Sequence, residues 1–416
     1  MKQATPECSI IIPVHNKWEL TRNCLVSLKE HGAGHDLEVI VVDNGSSDAT
    51  SSELLPLGRS LFGERFSHVA FAENRNFGPA CNAGARIAVS PLLFFLNNDT
   101  LLTPNWFAPL RDALLADASL GAVGPLLLYE DNTVQHLGVA FDLRCPVHLY
   151  RNLPATHPLV KRRRKFRVLT GAALMLHAEL FHACGGFFEQ YRNGFEDVDL
   201  CCQMGLQGKL MTCVPESVIY HLESKTPGRK SYDAANGRLL HQRCGGLFHA
   251  DLHHFAMRDG FVVRVNDLLA FSLHLPEAKE QALLCEAQNL PREHWHRLVQ
   301  ENPHWIKGRE VLAATLDKEG NMAGAATLYA SLADLDTTLA RLTELERFVA
   351  VPGQEALGAH VQKRLDMVME LRRTYKTTHT HIREIQKRQP PTGNSFLMKL
   401  LDDKLREIFP DGRTGR

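Results

Sequence analysis

The sequence predicts an α/β nucleotide-binding domain, a mostly parallel sheet flanked by helices, followed by an all-α region. Three observations predict it. Strand-like and helix-like segments alternate through the first half, the strands end in Asn, Asp or Arg, and beyond about Val265 the pattern becomes helical, punctuated by Pro276, Pro291, Pro303 and Pro352.

The first unit is an apolar strand at Cys8 to Val14, a helix from about Lys17 to His31, and a strand at Leu37 to Val42 closed by Asp43 and Asn44. Gly45-Ser46-Ser47-Asp48 then reads as a turn that caps a helix starting near Thr50. A third strand, Val69 to Ala72, leads into Glu73-Asn74-Arg75-Asn76-Phe77-Gly78 and a helix through Asn82 and Ala88. Leu92 to Leu96 is wholly apolar and reads as a buried fourth strand, so Asn97-Asn98-Asp99 emerges at its C-terminal end. Open α/β sheets bind ligands along that edge.

Composition sets outer limits. The 416 residues suffice for two domains, and 44% apolar with 23% charged residues describes an ordinary globular protein. Lys plus Arg equals Asp plus Glu at 47 each, which excludes bulk nucleic-acid binding and makes any anion site local. No apolar run approaches the ~20 residues of a membrane-spanning helix, and Met1 to Glu7 lacks a signal-peptide pattern, so a cytoplasmic protein is expected, at most peripheral to the inner face of the cell membrane. The ten cysteines include no Cys-x-x-Cys pair and read as reduced core thiols; Cys201 and Cys202, neighbours on a predicted helix, face different directions.

A hard divalent cation carrying a diphosphate needs few protein ligands, because phosphate oxygens and water complete its octahedron. One carboxylate and one further group suffice: Asp99 and His221 are the candidates. Taken alone, Asn97-Asn98-Asp99 reads more readily as a turn.

Four ordered motifs change that. Ile10-Ile11-Ile12-Pro13-Val14-His15-Asn16, Val41-Val42-Asp43-Asn44-Gly45-Ser46-Ser47-Asp48, Asn74-Arg75-Asn76-Phe77-Gly78 and Phe195-Glu196-Asp197-Val198-Asp199-Leu200 together resemble the inverting glycosyltransferases of family 2, over roughly residues 8 to 225. The resemblance implies the GT-A fold with its mixed, mostly parallel sheet, a nucleoside-diphosphate sugar donor, a glycan, lipid-linked or protein acceptor, and a divalent metal, Mg2+ or Mn2+. Bacterial cell-surface glycan synthesis, with rhamnosyl or hexosyl transfer, is the implied setting.

The same resemblance implies roles. Pro13 and Asn16 stand beside the nucleotide, Asp43 accepts a hydrogen bond from the base, Asn44 flanks it, and Arg75 and Asn76 lie near nucleotide and sugar, with Gly78 allowing close backbone approach. Asn97 stands where the commoner motif has a carboxylate; with Asn98 it is expected on the donor side, while Asp99 and His221 hold the metal. Losing one negative charge there should weaken metal affinity and make it depend more on the diphosphate. Asp197 matches the general base, and Glu196 beside it binds donor or acceptor hydroxyls. Asp199 is either an acceptor contact or an N-terminal helix charge. Gly185-Gly186-Phe187-Phe188 resembles the turn before this helix. Lys225, Arg229 and Lys230 in the segment after His221 either clamp the diphosphate or belong to a solvated loop.

Lys161-Arg162-Arg163-Arg164-Lys165 could steer an anionic acceptor to the cleft, or be solvated. The expected division is 1–265 and 266–416, the latter with a tetratricopeptide-like hairpin at about 302–335 and a long helix at about 354–386 whose stripe Val361, Leu365, Val368, Leu371, Tyr375, Ile382 and Ile385 suits either its own domain or a second chain, as a homodimer or protein partner. The last helix, through Phe396, Leu397, Leu400, Leu401, Leu405 and Ile408, is amphipathic and suits weak membrane contact. Two other readings stand beside the transferase. A sugar nucleotidyltransferase should carry a Gly-rich loop after the first strand, where His15-Asn16-Lys17 has none. A sugar-nucleotide or protein-binding module with lost catalysis is favoured only by Asn97.

Overall fold

A computed structural model gives the structure, describing residues 4–143, 145–222, 232–247, 249–349, 355–373, 375–387 and 395–410. The chain forms two compact units, residues 1–140 with 148–247, and residues 141–147 with 248–416. Val265, where the sequence suggested a division, closes a strand within the second unit.

The first unit is built on one sheet. Its strands are β1 (Cys8–Val14), β2 (Leu37–Asn44), β3 (Phe66–Phe71), β4 (Leu92–Leu96), β5 (Thr100–Leu102), β6 (Leu120–Leu128), β7 (Val134–His136), the short β10 (Lys165–Phe166), β11 (Ala173–His177) and β12 (Leu210–His221), while β8 (Val139–Phe141) and β9 (Pro146–His148) pair with each other as a separate two-stranded sheet. The order β10-β12-β6-β11-β4-β1-β2-β3 has β5 added on β12 and β7 on β6. β4, β1, β2 and β3 run parallel, as do β6 and β12, while β11 is inserted antiparallel between β4 and β6. The alternation predicts the parallel strands and flanking helices; the mixed character is implied by the family resemblance, and β11 supplies it.

Local chemistry explains the elements that position the site. All of β4 is buried and pairs on both sides, so the chain leaves the core only at Asn97. Helices α1 (Trp18–His31) and α2 (Thr50–Phe62) start beside one another, and one carboxylate serves both: Asp48 Oδ2 accepts the Trp18 N–H at 3.1 Å and Oδ1 the Thr50 N–H at 3.0 Å. Burial pushes the Asp48 carboxyl up, and the bonds from Thr50, Trp18 and Lys17 outweigh it, so the group lies below the ordinary carboxylate value. β3 lies earlier than the expected Val69 to Ala72, because this edge strand is half exposed and lacks a sharp alternation. Helices α3 (Phe77–Ile87), α4 (Phe107–Ala116), α5 (Ala178–Ala183), α6 (Glu196–Leu206) and α7 (Asp233–Cys244) complete the unit.

The basic run is largely committed to structure. Arg164 is buried and donates to the Leu159 and Arg162 carbonyls, Lys165 pairs with Asp117 at 2.7 Å, and Arg163 with Glu216 at 3.0 Å.

The second unit contains α8 (Leu252–Arg258), the hairpin of β13 (Val262–Val265) and β14 (Phe271–His274), and helices α9 (Glu277–Gln288), α10 (Arg292–Glu301), α11 (Ile306–Lys318), α12 (Met322–Leu335), α13 (Leu339–Val349), α14 (Glu355–Arg373), α15 (Tyr375–Lys387) and α16 (Ser395–Ile408). The expected 302–335 segment is an α11–α12 hairpin. The apolar stripe is not the open face that a second chain would need: Val361, Leu365 and Val368 are buried in one cluster with Trp305, Leu312 and Phe348. Leu397 and Leu401 of α16 are likewise buried, which removes most of the face that suggested membrane contact. Asp267, in the hairpin turn, accepts the Leu339 N–H at 2.8 Å and pairs with Arg372 and Lys404, holding three helices by one buried carboxylate. No described helix is long and apolar enough to cross a membrane. The described cysteines are free thiols, Cys201 and Cys202 both buried.

Candidate active site

The C-terminal ends of β1, β2 and β4, the 74–78 stretch after β3, the end of β12 and the start of α6 carry the described residues that the sequence singled out for the site. Pro13 pairs with Val42 near the end of β1, and Asn16 follows with positive φ. Asn16 Oδ1 accepts the Ser47 N–H at 2.8 Å, and its own N–H donates to Ser46 Oγ at 2.8 Å, which fastens the β1 loop to the β2 loop. Asp43 Oδ1 accepts the Ser46 N–H at 2.9 Å, so the carboxylate is fixed by its own turn.

Asn44 acts as a clamp. Its Oδ1 accepts the Arg75 N–H at 2.8 Å and its Nδ2 donates to Asn74 Oδ1 and the Asn76 carbonyl, which shapes the 74–76 loop. The Arg75 guanidinium lies over the Phe71 ring at 4.8 Å. Asn76 takes a positive φ of 70° and its N–H donates to Asn74 Oδ1. The close neighbour of Gly78 is the 187–188 segment: a Cβ there would stand 3.4 Å from the Phe188 carbonyl.

At the β4 end, the Asn97 N–H donates to the Ala172 carbonyl at 2.8 Å and Asn98 Nδ2 to Thr21 Oγ1 at 2.9 Å. Asp99 Oδ1 and His221 Nε2 are 3.1 Å apart, each residue only 8% exposed, with Asn97 Nδ2 at 3.4 Å from the same ring nitrogen. Strand pairing brings them together, since His221 is registered on Thr100 of β5 and the Leu222 N–H donates to the Asp99 carbonyl. Ligands about 2.1 Å from an octahedral cation stand roughly 3.0 Å apart on adjacent vertices, so this oxygen and nitrogen fit two ligands of such an ion. Among the described residues no group of three or more His, Cys, Asp or Glu is arranged to hold a metal ion.

Asp197 lies in the first turn of α6. Its Oδ2 accepts the Gly171 N–H at 2.8 Å and its Oδ1 the Val198 N–H at 2.8 Å. A Cβ at Gly171 would stand 3.2 Å from the Asp197 Cβ, so a larger residue there would press on this carboxylate. Phe195, just ahead, has φ 74°, a left-handed value that a bulky side chain adopts only when its surroundings hold it. Glu196 is buried beside it.

Asp199 has another assignment. It is buried, accepts the Tyr191 hydroxyl at 2.8 Å, and takes both Arg243 Nε at 2.5 Å and Arg243 Nη2 at 3.1 Å. Arg243 also covers the Phe188 ring at 3.6 Å. A carboxylate so engaged ties α6 to α7. Lys225, Arg229 and Lys230 lie outside the described residues.

Sequence reasoning missed Gln135. It sits on β7 and is 6% exposed; its Oε1 lies 2.6 Å from His221 Nδ1, and its Nε2 donates to the His221 carbonyl at 2.9 Å. A single Gln on a three-residue strand carries no signal of its own.

Residues 9–182 match the family described as Glycosyl transferase family 2. The match lies largely within the N-terminal unit. Among curated proteins, the O-antigen biosynthesis protein RfbC of Myxococcus xanthus is 30% identical over 232 residues, 53% of this chain and 18% of that protein. The N-acetylglucosaminyl-diphospho-decaprenol L-rhamnosyltransferase of Mycobacterium tuberculosis (strain ATCC 25618 / H37Rv) is 27% identical over 241 residues, 52% of this chain and 76% of that protein. The chain thus spans under a fifth of the first relative and about three quarters of the second. Among solved structures, the mannosyltransferase PcManGT from Pyrobaculum calidifontis in complex with GDP-Man and Mn2+ gives a TM-score of 0.42 at 17% identity, covering 89% of this chain and 87% of that one. Asp43, Asn97 to Asp99 and Asp197 all lie in the first unit.

Proposed function

We propose that the protein is a metal-dependent inverting glycosyltransferase that moves a sugar from a nucleoside-diphosphate sugar to a hydroxyl acceptor in cell-surface glycan synthesis. The observation that carries this is the Asp99 Oδ1 to His221 Nε2 separation of 3.1 Å at the end of β4, with Asp197 held by the segment that also anchors Asn97.

In this reading Pro13, Asn16 and Asp43 line the nucleotide side, Asp43 accepting from the base, while Asn44 shapes the loop that brings Arg75 and Asn76 to the donor. Asp99 and His221 would hold a divalent cation, Mg2+ or Mn2+, and its charge would stabilise the departing diphosphate. Asn97 and Asn98 orient ribose or coordinated water through neutral amides. Asp197 takes the proton from the acceptor hydroxyl as that oxygen attacks the anomeric carbon, and the carbon–oxygen bond to the diphosphate breaks on the opposite face. The Gly171 and Val198 N–H groups keep the carboxylate oriented for this step. Glu196 contacts sugar hydroxyls. The O-antigen and rhamnosyltransferase names of the relatives support a bacterial surface glycan as product and a deoxyhexose or hexose as the transferred group.

The experiment is a panel of nucleoside-diphosphate sugars with and without Mn2+ or Mg2+, read by product mass and anomeric configuration. Inverted product in one donor lane is expected; donor binding without turnover across acceptors would favour a binding module.

A further inference from the structure

The geometry points to Gln135 as a positioning residue that sets the tautomer of His221 and so presents its Nε2 lone pair to the cation site. The proposal rests on the metal reading of Asp99 and His221 given above.

The argument starts from the amide. Gln135 Nε2 donates to the His221 backbone carbonyl at 2.9 Å, a bond only the amino end can make. Turning the amide round would set its oxygen against that carbonyl, two acceptors face to face in a buried place. The oxygen end is thereby committed to His221 Nδ1, 2.6 Å away. An amide oxygen has no proton to give, so the contact is a hydrogen bond only if Nδ1 carries the hydrogen.

Consequences follow on the other side of the ring. In the neutral imidazole one nitrogen is protonated and the other bears the lone pair. With the hydrogen on Nδ1, the lone pair sits on Nε2, which faces Asp99 Oδ1 at 3.1 Å. Asn97 Nδ2, 3.4 Å from Nε2, is a donor and suits the same tautomer. Without Gln135 the neighbouring carboxylate would draw the hydrogen to Nε2, where it would block the ligand position. Metal-binding histidines are commonly fixed in this manner by a partner on the far nitrogen. The backbone supplies the rest: β7 and β12 both pair with β6, so Gln135 and His221 are held on opposite flanks of one strand.

The test uses the full chain labelled with 15N-histidine, the His221 signals being assigned from a His221→Ala spectrum. At about pH 8.5, where an ordinary histidine is neutral, His221 should show a protonated Nδ1 and a bare Nε2. Gln135→Leu should move the hydrogen to Nε2 and weaken Mn2+ binding, titrated with uridine, guanosine or thymidine diphosphate present, by roughly 10- to 100-fold. Gln135→Glu gives up the bond to the His221 carbonyl but keeps an acceptor opposite Nδ1, so it should retain the wild-type tautomer, which a purely packing role would not predict. A proton on Nε2 in the wild type overturns the proposal even if Gln135→Leu fails to fold, as does a Gln135→Leu chain with unchanged tautomer and Mn2+ affinity. A wild-type chain that binds no Mn2+ yet shows the Gln135-dependent tautomer would instead remove the metal assignment and leave the positioning role standing.

Discussion

Gly171 donates its N–H to Asp197 Oδ2 at 2.8 Å, and the next residue, Ala172, accepts the Asn97 N–H at 2.8 Å. Two adjacent residues ahead of β11 therefore hold both the proposed base and the chain end that carries the proposed metal ligand. This explains how a base on α6 and a ligand after β4, about a hundred residues apart, are kept in one frame.

Asp197→Asn preserves shape and still accepts through its amide oxygen, but it cannot take the acceptor proton. Transfer should fall by roughly 10²- to 10⁴-fold while donor affinity stays within a few fold. Steady-state rates beside donor titration check this, and near-normal turnover would remove Asp197 from the mechanism.

Asp99→Ala and His221→Ala each take away one of very few protein ligands, so the gain in nucleoside-diphosphate affinity produced by Mn2+ should vanish in both. Calorimetric titration with and without Mn2+ gives the answer. Unchanged metal-dependent affinity in both variants would mean that the site is misplaced.

Asp199→Asn should act on stability. Removing the charge leaves Arg243 without its carboxylate in a partly buried place, a loss of about 3 kcal/mol at the low end for a broken buried pair. For a unit of this size that lowers the melting temperature by roughly 6 to 12 °C. Turnover per folded molecule should change little. A variant with wild-type melting and abolished transfer would return Asp199 to the acceptor site.

Burial, followed by the nearby His148 and His221, pushes the His136 imidazole well below its ordinary value. The unfolded chain then binds a proton that the folded chain refuses, so stability is present above the unfolded value of about 6.5 and is lost as pH falls from there toward the folded value. Urea unfolding at about pH 5.5 and 7.5 should show a larger acid penalty in the wild type than in His136→Leu. Equal pH dependence in the two would refute this.

Much of the first unit was legible because its signals are local. The apolar run before Asn97 had to be a buried strand, and Asp43, Asn97 to Asp99 and Asp197 had to fall at the ends of elements. What escaped depends on partners distant in sequence. Asp199 reads as either a helix charge or an acceptor contact, and its partner Arg243 stands on α7, 44 residues later. The amide of Asn44 shapes the loop around Arg75, a bond with no signature in the sequence. The antiparallel insertion of β11 between β4 and β6 has no local signature either, because pairing direction is set by long-range packing. Gln135 matters only through β6, the strand it shares with His221.

The two-unit organisation gives the last prediction, on a proposed division of labour in which donor binding belongs to the first unit. Its core runs through Ile10, Val41, Phe94 and Trp106, and that of the second through Trp305, Leu312 and Phe348, so each has apolar burial of its own. Residues 141–147 belong with the second unit. The suitable fragment therefore ends at Leu247 and replaces 141–147 by a Gly/Ser linker of equal length. It should fold, stay monodisperse in light scattering, and bind nucleoside diphosphate with Mn2+ within a few fold of the full chain. The complementary fragment from 248 should be helical by circular dichroism and bind none. A folded first fragment that has lost nucleotide binding would show that the site needs residues of the second unit, and the proposed division would then fail.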